Sequence, residues 1–211
     1  MTDKLIQESC ENFAELLASK TSVPGGGGAA AFAGALGVAL CSMVGNFTIG
    51  KKKYADVEED IRIILEKAET IRLELLDLVD EDARAFAPLA EAYGISKDDP
   101  KRSEIIEAAT LNACDVPIKI IKYCTKAIDL FSEILEKGNR MLISDVGCGA
   151  LMCRASMECA AMNVFINTGT LKDREKANSI EKEVDEALKK YYPMASEIAE
   201  KVNKIIRKRD V

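Results

Sequence analysis

Asp82 is the residue of this sequence whose position points most directly to proton chemistry. It stands seven and eleven residues after Leu75 and Ile71, so a carboxylate falls on the apolar face of a predicted amphipathic helix. An unpaired buried carboxylate costs free energy. Asp82 therefore has either a structural partner, such as a lysine, or a place in a site where desolvation tunes its pKa for acid and base work.

The chain contains no histidine, which narrows the chemistry further. Because histidine is the commonest general base and metal ligand, proton transfer falls to Asp, Glu, Lys, Cys, Tyr or water, and we predict no metal site. The seven cysteines include no CxxC pair and fall mostly in apolar runs. Together with an N-terminus that lacks the order of a signal peptide, they favour a reducing, cytoplasmic location.

A second candidate is the run Val23-Pro24-Gly25-Gly26-Gly27-Gly28, which precedes a long uncharged segment. Exposed N–H groups at a helix start can hold an anion or an electron-rich ring. The alternative is a flexible turn, because glycine-rich loops are common. The run is neither a Walker loop nor a dinucleotide fingerprint, since no Gly-Lys-Ser/Thr follows it and no strand precedes it.

A third candidate is the cluster Lys51, Lys52, Lys53 and Tyr54 at the far end of the uncharged segment. Three lysines suit the carboxylates of a ligand, and one held beside an apolar wall can stabilise a developing negative charge. The alternative is a solvated cluster that caps the helix C-terminus.

The fourth group consists of amides with a second acid. Asn163 and Asn167 are four residues apart and share a helix face, and Asp145 follows Ser144 near the start of the same helix. Asn139 precedes them. Amides on a largely apolar helix need partners, which either a ligand rich in N–H and C=O groups or the core edge supplies.

The elements that position these residues are all predicted to be helices. Apolar residues recur at helical spacing, and no run alternates with period two. We predict an opening helix through Ile6, Cys10, Phe13 and Leu17, followed by helices over about 29–45 and 56–93. A helix from Ser103 has Pro117 to end or kink it, and a further helix ends near Gly138. The last two helices run over about 144–166 and from Asp173 with an interruption at Pro193, and their candidate N-caps are Ser144-Asp145 and Asp173.

Composition indicates one domain over residues 1–211. With 48% hydrophobic and 30% charged residues, the chain can bury one core, so we predict an all-α single-domain helical bundle around the Gly/Ala-rich helix. The net charge of -6 argues against binding to a phosphate backbone, and we expect no nucleic-acid partner.

The uncharged segment from Pro24 to Gly50 spans 27 positions, more than the roughly 20 that cross a bilayer. Its many glycines and alanines make it poorly apolar, so we predict a buried helix and no membrane contact. A small residue stands at every fourth position, which allows another backbone to approach closely and loosely supports a dimer. These positions are Ala33, Gly37, Cys41 and Gly45.

The combined order of these motifs resembles the cyclodeaminase/cyclohydrolase family. That family includes the C-terminal domain of formiminotransferase-cyclodeaminase and stand-alone methenyltetrahydrofolate cyclohydrolases. The matching motifs cover nearly the whole chain and are Pro24-Gly25-Gly26-Gly27, Asn46-Phe47-Thr48-Ile49-Gly50-Lys51-Lys52-Lys53-Tyr54, Asp82 with Phe86, Gly138-Asn139, Ser144-Asp145 and Asn163-Val164-Phe165-Ile166-Asn167.

The chain departs from the family pattern at two places. Gly28-Ala29 stands where a serine usually follows the glycine triplet, so a hydroxyl is missing near that loop. Ile95-Ser96-Lys97 replaces Leu-Pro-Lys after the long helix. Both departures concern substrate detail more than the fold.

The resemblance implies a homodimer whose substrate is a tetrahydrofolate derivative, polyglutamylated or not, with no bound cofactor. The implied reaction is cyclodeamination of 5-formimino-tetrahydrofolate to 5,10-methenyl-tetrahydrofolate and ammonia, with a separate formiminotransferase as a candidate partner. Two alternatives stay open: a 5,10-methenyl-tetrahydrofolate cyclohydrolase that forms 10-formyl-tetrahydrofolate, and a non-catalytic folate-binding dimer.

The resemblance also implies a role for each motif. Asp82 is the expected acid and base, Asp145 its partner acid or electrostatic stabiliser, and Lys52 the third catalytic group. The expected substrate-binding residues are Pro24, Gly25, Gly26, Gly27 and Asn46 around the folate, Lys51, Lys53 and Tyr54 near its glutamate tail or the reaction centre, and Asn139, Asn163 and Asn167 on the pterin edges.

Overall fold

The computed structural model describes residues 4–208, which contain six α-helices, three short 3-10 helices and no strand. The helices pack as one bundle, so the predicted all-α class is confirmed. The α-helices are α1 Cys10–Ala18, α2 Gly26–Asn46, α3 Glu58–Tyr93, α4 Arg102–Lys137, α5 Ile143–Thr168 and α6 Arg174–Ile206, and the 3-10 helices are Leu5–Gln7, Lys52–Val57 and Arg140–Leu142.

Helix α2 lies between α3 and α5, and α4 contacts all three. The side chains of Ala31, Val38 and Val44 are fully buried along it. By length and composition alone, α2 is the one helix among residues 4–208 that suits a membrane span. Its packing in the bundle accounts for that apolarity, because a helix with partners on several sides is apolar all round.

The small residues of α2 bring α5 of the same chain into backbone contact. A Cβ added to Gly37 would lie 3.0 Å from the Gly149 carbonyl oxygen, and one added to Gly149 would lie 2.9 Å from the Gly37 carbonyl oxygen. Gly45 instead faces Leu65 of α3. The predicted close approach is therefore intramolecular at Gly37 and Gly45, and these two glycines give no support to a dimer.

Helix α2 begins earlier than the sequence predicts. Gly25 is the N-cap, and Gly26, Gly27 and Gly28 form the first helical turn instead of a loop. Glycine is a poor helix former, so tertiary contacts must stabilise this turn. The N–H groups of the run therefore point along the helix axis, as an anion-binding helix start requires.

Neither proline ends its helix, so the end predicted at Pro117 of α4 and the interruption predicted at Pro193 of α6 are wrong. A proline removes one helical N–H, and packing along the whole helix compensates for that loss. Asp173 is confirmed as an N-cap, since its Oδ1 accepts the Lys176 N–H at 2.9 Å. Ser144 is not a cap, because α5 begins at Ile143.

The predicted opening helix is two pieces. Ile6 lies in a 3-10 helix, and Ser9 caps α1 by accepting the Asn12 N–H at 3.1 Å. The Leu5 N–H donates to Oδ1 of Asp80 at 2.6 Å. This contact attaches the N-terminal segment to α3, and it gives buried Asp80 a partner that sequence periodicity did not identify.

Candidate functional site

A cleft of about 240 Å³ lies at the N-terminal end of α2. The first turn of α2 forms one wall, and α3, α4 and α5 complete it. The lining residues are Ser22, Val23, Gly25, Gly26, Gly27, Asp82, Phe86, Ala113, Pro117, Asn163, Ile166 and Asn167.

Asp82 projects from α3 directly onto the start of α2. Its Oδ2 accepts the Gly28 N–H at 2.9 Å, so its structural partner is a backbone donor and not a lysine. A Cβ added to Gly27 would lie 2.2 Å from Asp82 Oδ1. Only a glycine at position 27 therefore allows the carboxylate this close, and this is the close approach that the glycine run permits.

The electrostatics of Asp82 suit acid and base work. Burial raises the pKa of its carboxyl above the ordinary value, and the hydrogen bond from Gly28 lowers it by less. Oδ2 is occupied by that bond, and Oδ1 accepts none from the described residues. The carboxyl thus combines an occupied oxygen that fixes its position with a second oxygen beside the cleft.

Asn163 and Asn167 project from α5 into the same cleft. Asn163 Nδ2 donates to the carbonyl of Cys159 at 2.8 Å, and Asn167 Nδ2 donates to the carbonyl of Ala113 at 3.3 Å. Each amide thus uses one N–H for the chain, and its oxygen and second N–H have no partner among the described residues.

Asn139 belongs to a different site, beyond the C-terminal end of α2. It is 4% exposed, its N–H donates to Thr48 Oγ1 at 2.9 Å, and its Nδ2 donates to the Phe47 carbonyl at 2.9 Å. Its Oδ1 accepts from the Tyr54 hydroxyl and the Met141 N–H. Both polar atoms of this side chain are hydrogen-bonded within the chain, so Asn139 holds the segments at this end together.

Lys51, Lys52 and Lys53 are exposed at the same end, and no ion pair holds them within the described part of the chain. Lys53 lies 5.4 Å from the centre of the Tyr54 ring. Asn46, at the end of α2, is also exposed. We refer to this region, with Tyr54 and Asn139, as the lysine end.

Within one chain the predicted site is therefore divided. The 21 residues of α2 separate the cleft from the lysine end by about 30 Å, at 1.5 Å per residue. The structure brings together Gly25, Gly26, Gly27, Asp82, Asn163 and Asn167, and it places Asn46, Lys51, Lys52, Lys53, Tyr54 and Asn139 at the lysine end. Pro24 is buried behind the cleft, and Asp145 lies in the first turn of α5, towards the lysine end.

Other sites on the molecule carry less chemistry. Among residues 4–208, no three His, Cys, Asp or Glu side chains are grouped so that they could hold a metal ion. A larger groove of about 700 Å³ runs between α3, α4 and α6 and contains none of the predicted residues. Its Asp129 accepts the Tyr191 hydroxyl at 3.1 Å. We therefore place the site at the cleft, although it is the smaller of the two.

Comparison with known proteins gives the same family as the sequence motifs. A family described as formiminotransferase-cyclodeaminase matches residues 9–186. This chain belongs to that family. One relative is a methenyltetrahydrofolate cyclohydrolase from Methylorubrum extorquens. It is 44% identical to this chain over 84% of this chain and 88% of that protein.

Other relatives are named for cyclodeamination instead of hydrolysis. Formimidoyltransferase-cyclodeaminase from Mus musculus is 30% identical over 80% of this chain, which spans 32% of the mouse protein. The crystal structure of formiminotetrahydrofolate cyclodeaminase from Thermotoga maritima superposes with a TM-score of 0.82 at 29% identity, covering 97% of this chain and 98% of that one. The family assignment and fold are thus shown, and the names divide between two reactions.

Proposed function

We propose that this chain is a one-carbon folate enzyme that hydrolyses 5,10-methenyl-tetrahydrofolate to 10-formyl-tetrahydrofolate. The observation that carries an enzymatic function is Asp82, a buried carboxylate with a raised pKa and one unoccupied oxygen in a cleft. The choice of hydrolysis follows the 44% identical relative, which is named a methenyltetrahydrofolate cyclohydrolase. We therefore favour hydrolysis over cyclodeamination, whereas the sequence-based expectation favoured cyclodeamination.

The chemistry requires one group that both accepts and returns a proton. Water adds to the cationic carbon between the 5- and 10-nitrogens, and Asp82 takes a proton from that water. The bond from this carbon to the 5-nitrogen then breaks, and Asp82 returns a proton to that nitrogen while a second proton goes to solvent. A carboxyl whose pKa is raised towards neutrality performs both transfers better than an ordinary aspartate.

Cyclodeamination is the second candidate, and the likeness to the Thermotoga maritima structure over 97% of this chain favours it. In that reaction the 10-nitrogen attacks the carbon of the protonated formimino group and loses its proton to the base. The base returns a proton to the resulting amino group, which leaves as ammonia and gives the cationic methenyl bridge. The same carboxyl serves both steps. The two reactions therefore share a site and differ in which nitrogen leaves the one-carbon unit.

Absorbance of the methenyl chromophore separates these functions. Decay of 5,10-methenyl-tetrahydrofolate faster than in buffer, abolished in Asp82→Asn, is the expected result for a cyclohydrolase. Growth of the chromophore from 5-formimino-tetrahydrofolate, with release of ammonia, would make the chain a cyclodeaminase. Binding of folate with neither change would identify a non-catalytic folate-binding protein, and absence of binding would contradict the proposal.

We further propose that the enzyme is a homodimer formed through the outer faces of α2 and α5. These helices pack side by side and both contact α4, and α2 contains no charged residue. Ile166 is 71% exposed and Met162 is 68% exposed. Monomeric proteins rarely leave several hundred Å² of contiguous apolar surface uncovered. The large side chains exposed on this surface are Leu36, Leu151, Met162 and Ile166.

A twofold axis through the middle of α2 would also reunite the divided site. It would place the C-terminal end of one α2 beside the N-terminal end of the other, because such an axis exchanges the two ends. The lysines of one subunit would then meet the Asp82 cleft of the second subunit. This arrangement gives the lysines the folate-binding role that one chain alone does not provide.

Subunit mixing tests this arrangement. We expect Asp82→Asn and Lys52→Met to be inactive alone, and a mixture that exchanges subunits to recover about a quarter of wild-type activity, because half the dimers then carry one intact site. No recovery would show that Asp82 and Lys52 act within one subunit. Lys52→Met with full activity and unchanged folate affinity would remove the lysine from the site altogether.

A further inference from the structure

Pro117 leaves a backbone carbonyl without its helical partner inside the cleft. Proline has no N–H, so the carbonyl of Ala113, four residues earlier in α4, lacks its usual i+4 hydrogen bond. Asn167 Nδ2 of α5 donates to that carbonyl at 3.3 Å. All three residues line the cleft. The missing helical donor is thus replaced by a side chain 54 residues away.

This contact determines which way the Asn167 amide points. A carbonyl can only accept, so the amide nitrogen must face Ala113 and Oδ1 must occupy the opposite side of the amide. Within residues 4–208, no donor contacts Asn167 Oδ1. The cleft therefore contains an oriented acceptor that the chain itself does not satisfy.

Two other asparagines show what is particular to this position. Asn163 donates to the Cys159 carbonyl, four residues earlier in the same helix, where a backbone N–H competes for the acceptor. Asn112 donates at 3.4 Å to the carbonyl of Ala85, three residues before Pro88, whereas the carbonyl that lacks its helical donor because of Pro88 is that of Arg84. Both Asn112 and Pro88 are exposed and lie outside the cleft lining. Pro88 is thus a control for the loss of a helix proline away from the cleft.

We propose that Pro117 is a positioning residue: by exposing the Ala113 carbonyl, it holds Asn167 with Oδ1 directed to a ligand that carries an N–H or NH2 donor. This inference rests on the proposed function, in which that donor is the amino-bearing edge of the pterin ring. Asp82 reaches the cleft from α3, so recognition at Asn167 and proton transfer at Asp82 depend on different helices.

The decisive variant is Pro117→Ala, which supplies the missing N–H to the Ala113 carbonyl and releases the Asn167 amide. The probes are 5-formyl-tetrahydrofolate, a stable folate, and its analogue that lacks the 2-amino group. We expect affinity for the first to fall about tenfold, or about 1.4 kcal/mol, and affinity for the second to stay within twofold. Asn167→Leu should show the same selective loss, and Pro88→Ala should change neither affinity.

Kinetics and spectroscopy separate positioning from a general loss of structure. KM should rise about tenfold in Pro117→Ala while kcat changes less than KM, and the melting temperature should stay equal or rise, because an alanine suits a helix interior better. The Asn167 side-chain amide should exchange with solvent more slowly in the wild type than in Pro117→Ala. This last measurement needs no ligand.

Three results would overturn the proposal. They are equal loss of both folates in Pro117→Ala, unchanged affinity for both, and the same selective loss in Pro88→Ala. If the wild-type protein binds neither folate, the proposed function fails and ligand recognition by Asn167 fails with it. Exchange of the Asn167 amide would then still decide whether Pro117 positions that side chain.

Discussion

The two ends of α2 hold polar residues in opposite ways. At the lysine end, Asn139 is 4% exposed and both polar atoms of its side chain are bonded to the chain. At the cleft, Asp82 and Asn167 each use one polar atom for the chain and keep another unoccupied. A fully satisfied side chain stabilises the fold, whereas a partly satisfied one beside a cavity is available to a ligand.

The difference shows that a polar residue in an apolar setting is not by itself evidence of a site. Asn139 and Asp82 both belong to motifs on which the family resemblance rests, yet the chain occupies both polar atoms of Asn139 and only one oxygen of Asp82. The distinction depends on how many of their hydrogen-bonding groups the chain occupies. The predictions below test this distinction, from the largest expected effect to the smallest.

Asp82→Asn should reduce kcat by about 100- to 10,000-fold, because a neutral amide cannot accept the proton. Steady-state rates with the methenyl substrate measure this loss. The matched control is Asp80→Asn on the same helix, where the carboxylate accepts the Leu5 N–H and lies outside the cleft. It should lower stability by about 1 kcal/mol without an effect on kcat. Normal turnover by folded Asp82→Asn would refute the assignment.

The pH dependence of stability gives a second test of Asp82. Because burial raises its pKa, the folded chain binds more protons than the unfolded chain between the unfolded and folded pKa values. The free energy of unfolding therefore falls as pH rises through that window. Asp82→Asn removes this pH-dependent loss of stability. In denaturant unfolding at neutral pH, the variant should therefore have a free energy of unfolding at least as large as that of the wild type. A less stable variant would contradict the burial argument.

Asn139→Ala should lower the free energy of unfolding by about 2–3 kcal/mol, because it leaves the Phe47 carbonyl and the Met141 N–H without partners. Urea titration measures the change. Asn46→Ala is the control at the same end, since Asn46 is exposed, and it should stay within about 0.5 kcal/mol. Equal effects of the two substitutions would mean that the hydrogen bonds of Asn139 do not stabilise this end.

Gly27→Ala should lower kcat by about 10- to 100-fold, since its Cβ would lie 2.2 Å from Asp82 Oδ1 and displace the carboxylate. Gly28→Ala is the matched control, because its Cβ would meet its nearest neighbour, the Val79 carbonyl oxygen, at 3.5 Å, an ordinary contact. We expect a loss of less than about threefold there. Similar losses at both positions would show that the Asp82 position does not depend on Gly27.

Gly28→Ser should have the smallest effect, on the pH profile. The structure has room for the side chain, whose Cβ would lie 3.8 Å from Asp82 Oδ2. A hydroxyl that donates to the carboxylate stabilises its charged form and lowers the pKa of Asp82, so the acid limb of the rate profile should move to lower pH. A profile that does not move would show that the hydroxyl does not reach Asp82.

Much of the fold was predictable because helical periodicity is local information. The spacing of Ile71, Leu75 and Asp82 correctly places all three on α3, and Asp173 was recognised as a cap from its residue type. The helix end expected at Pro117 and the interruption expected at Pro193 were wrong, because packing along a whole helix outweighs the loss of one N–H. The glycine run was predicted as a loop because its helical turn depends on contacts with other helices.

The sequence predicted many residues of the candidate site but not which of them lie together. Asp82, the glycines and both α5 amides do line one cleft, whereas Lys52 and Asn139 lie at the far end of a 21-residue helix. Pro117 and Ala113 were not identified as site residues. They contribute the unpaired carbonyl of Ala113, a backbone group that every residue type carries and that residue type therefore does not predict.

The sequence by itself determined the helical class, the residues on each helix face and the absence of histidine from the chemistry. These properties follow from residue types and from spacings of three and four, which act over one or two turns. Only the tertiary structure decided that Asp82 meets Gly28 across 54 residues and that Ala113 meets Asn167. Such contacts depend on how long helices cross and on which backbone groups remain unpaired, and both are set when the bundle packs.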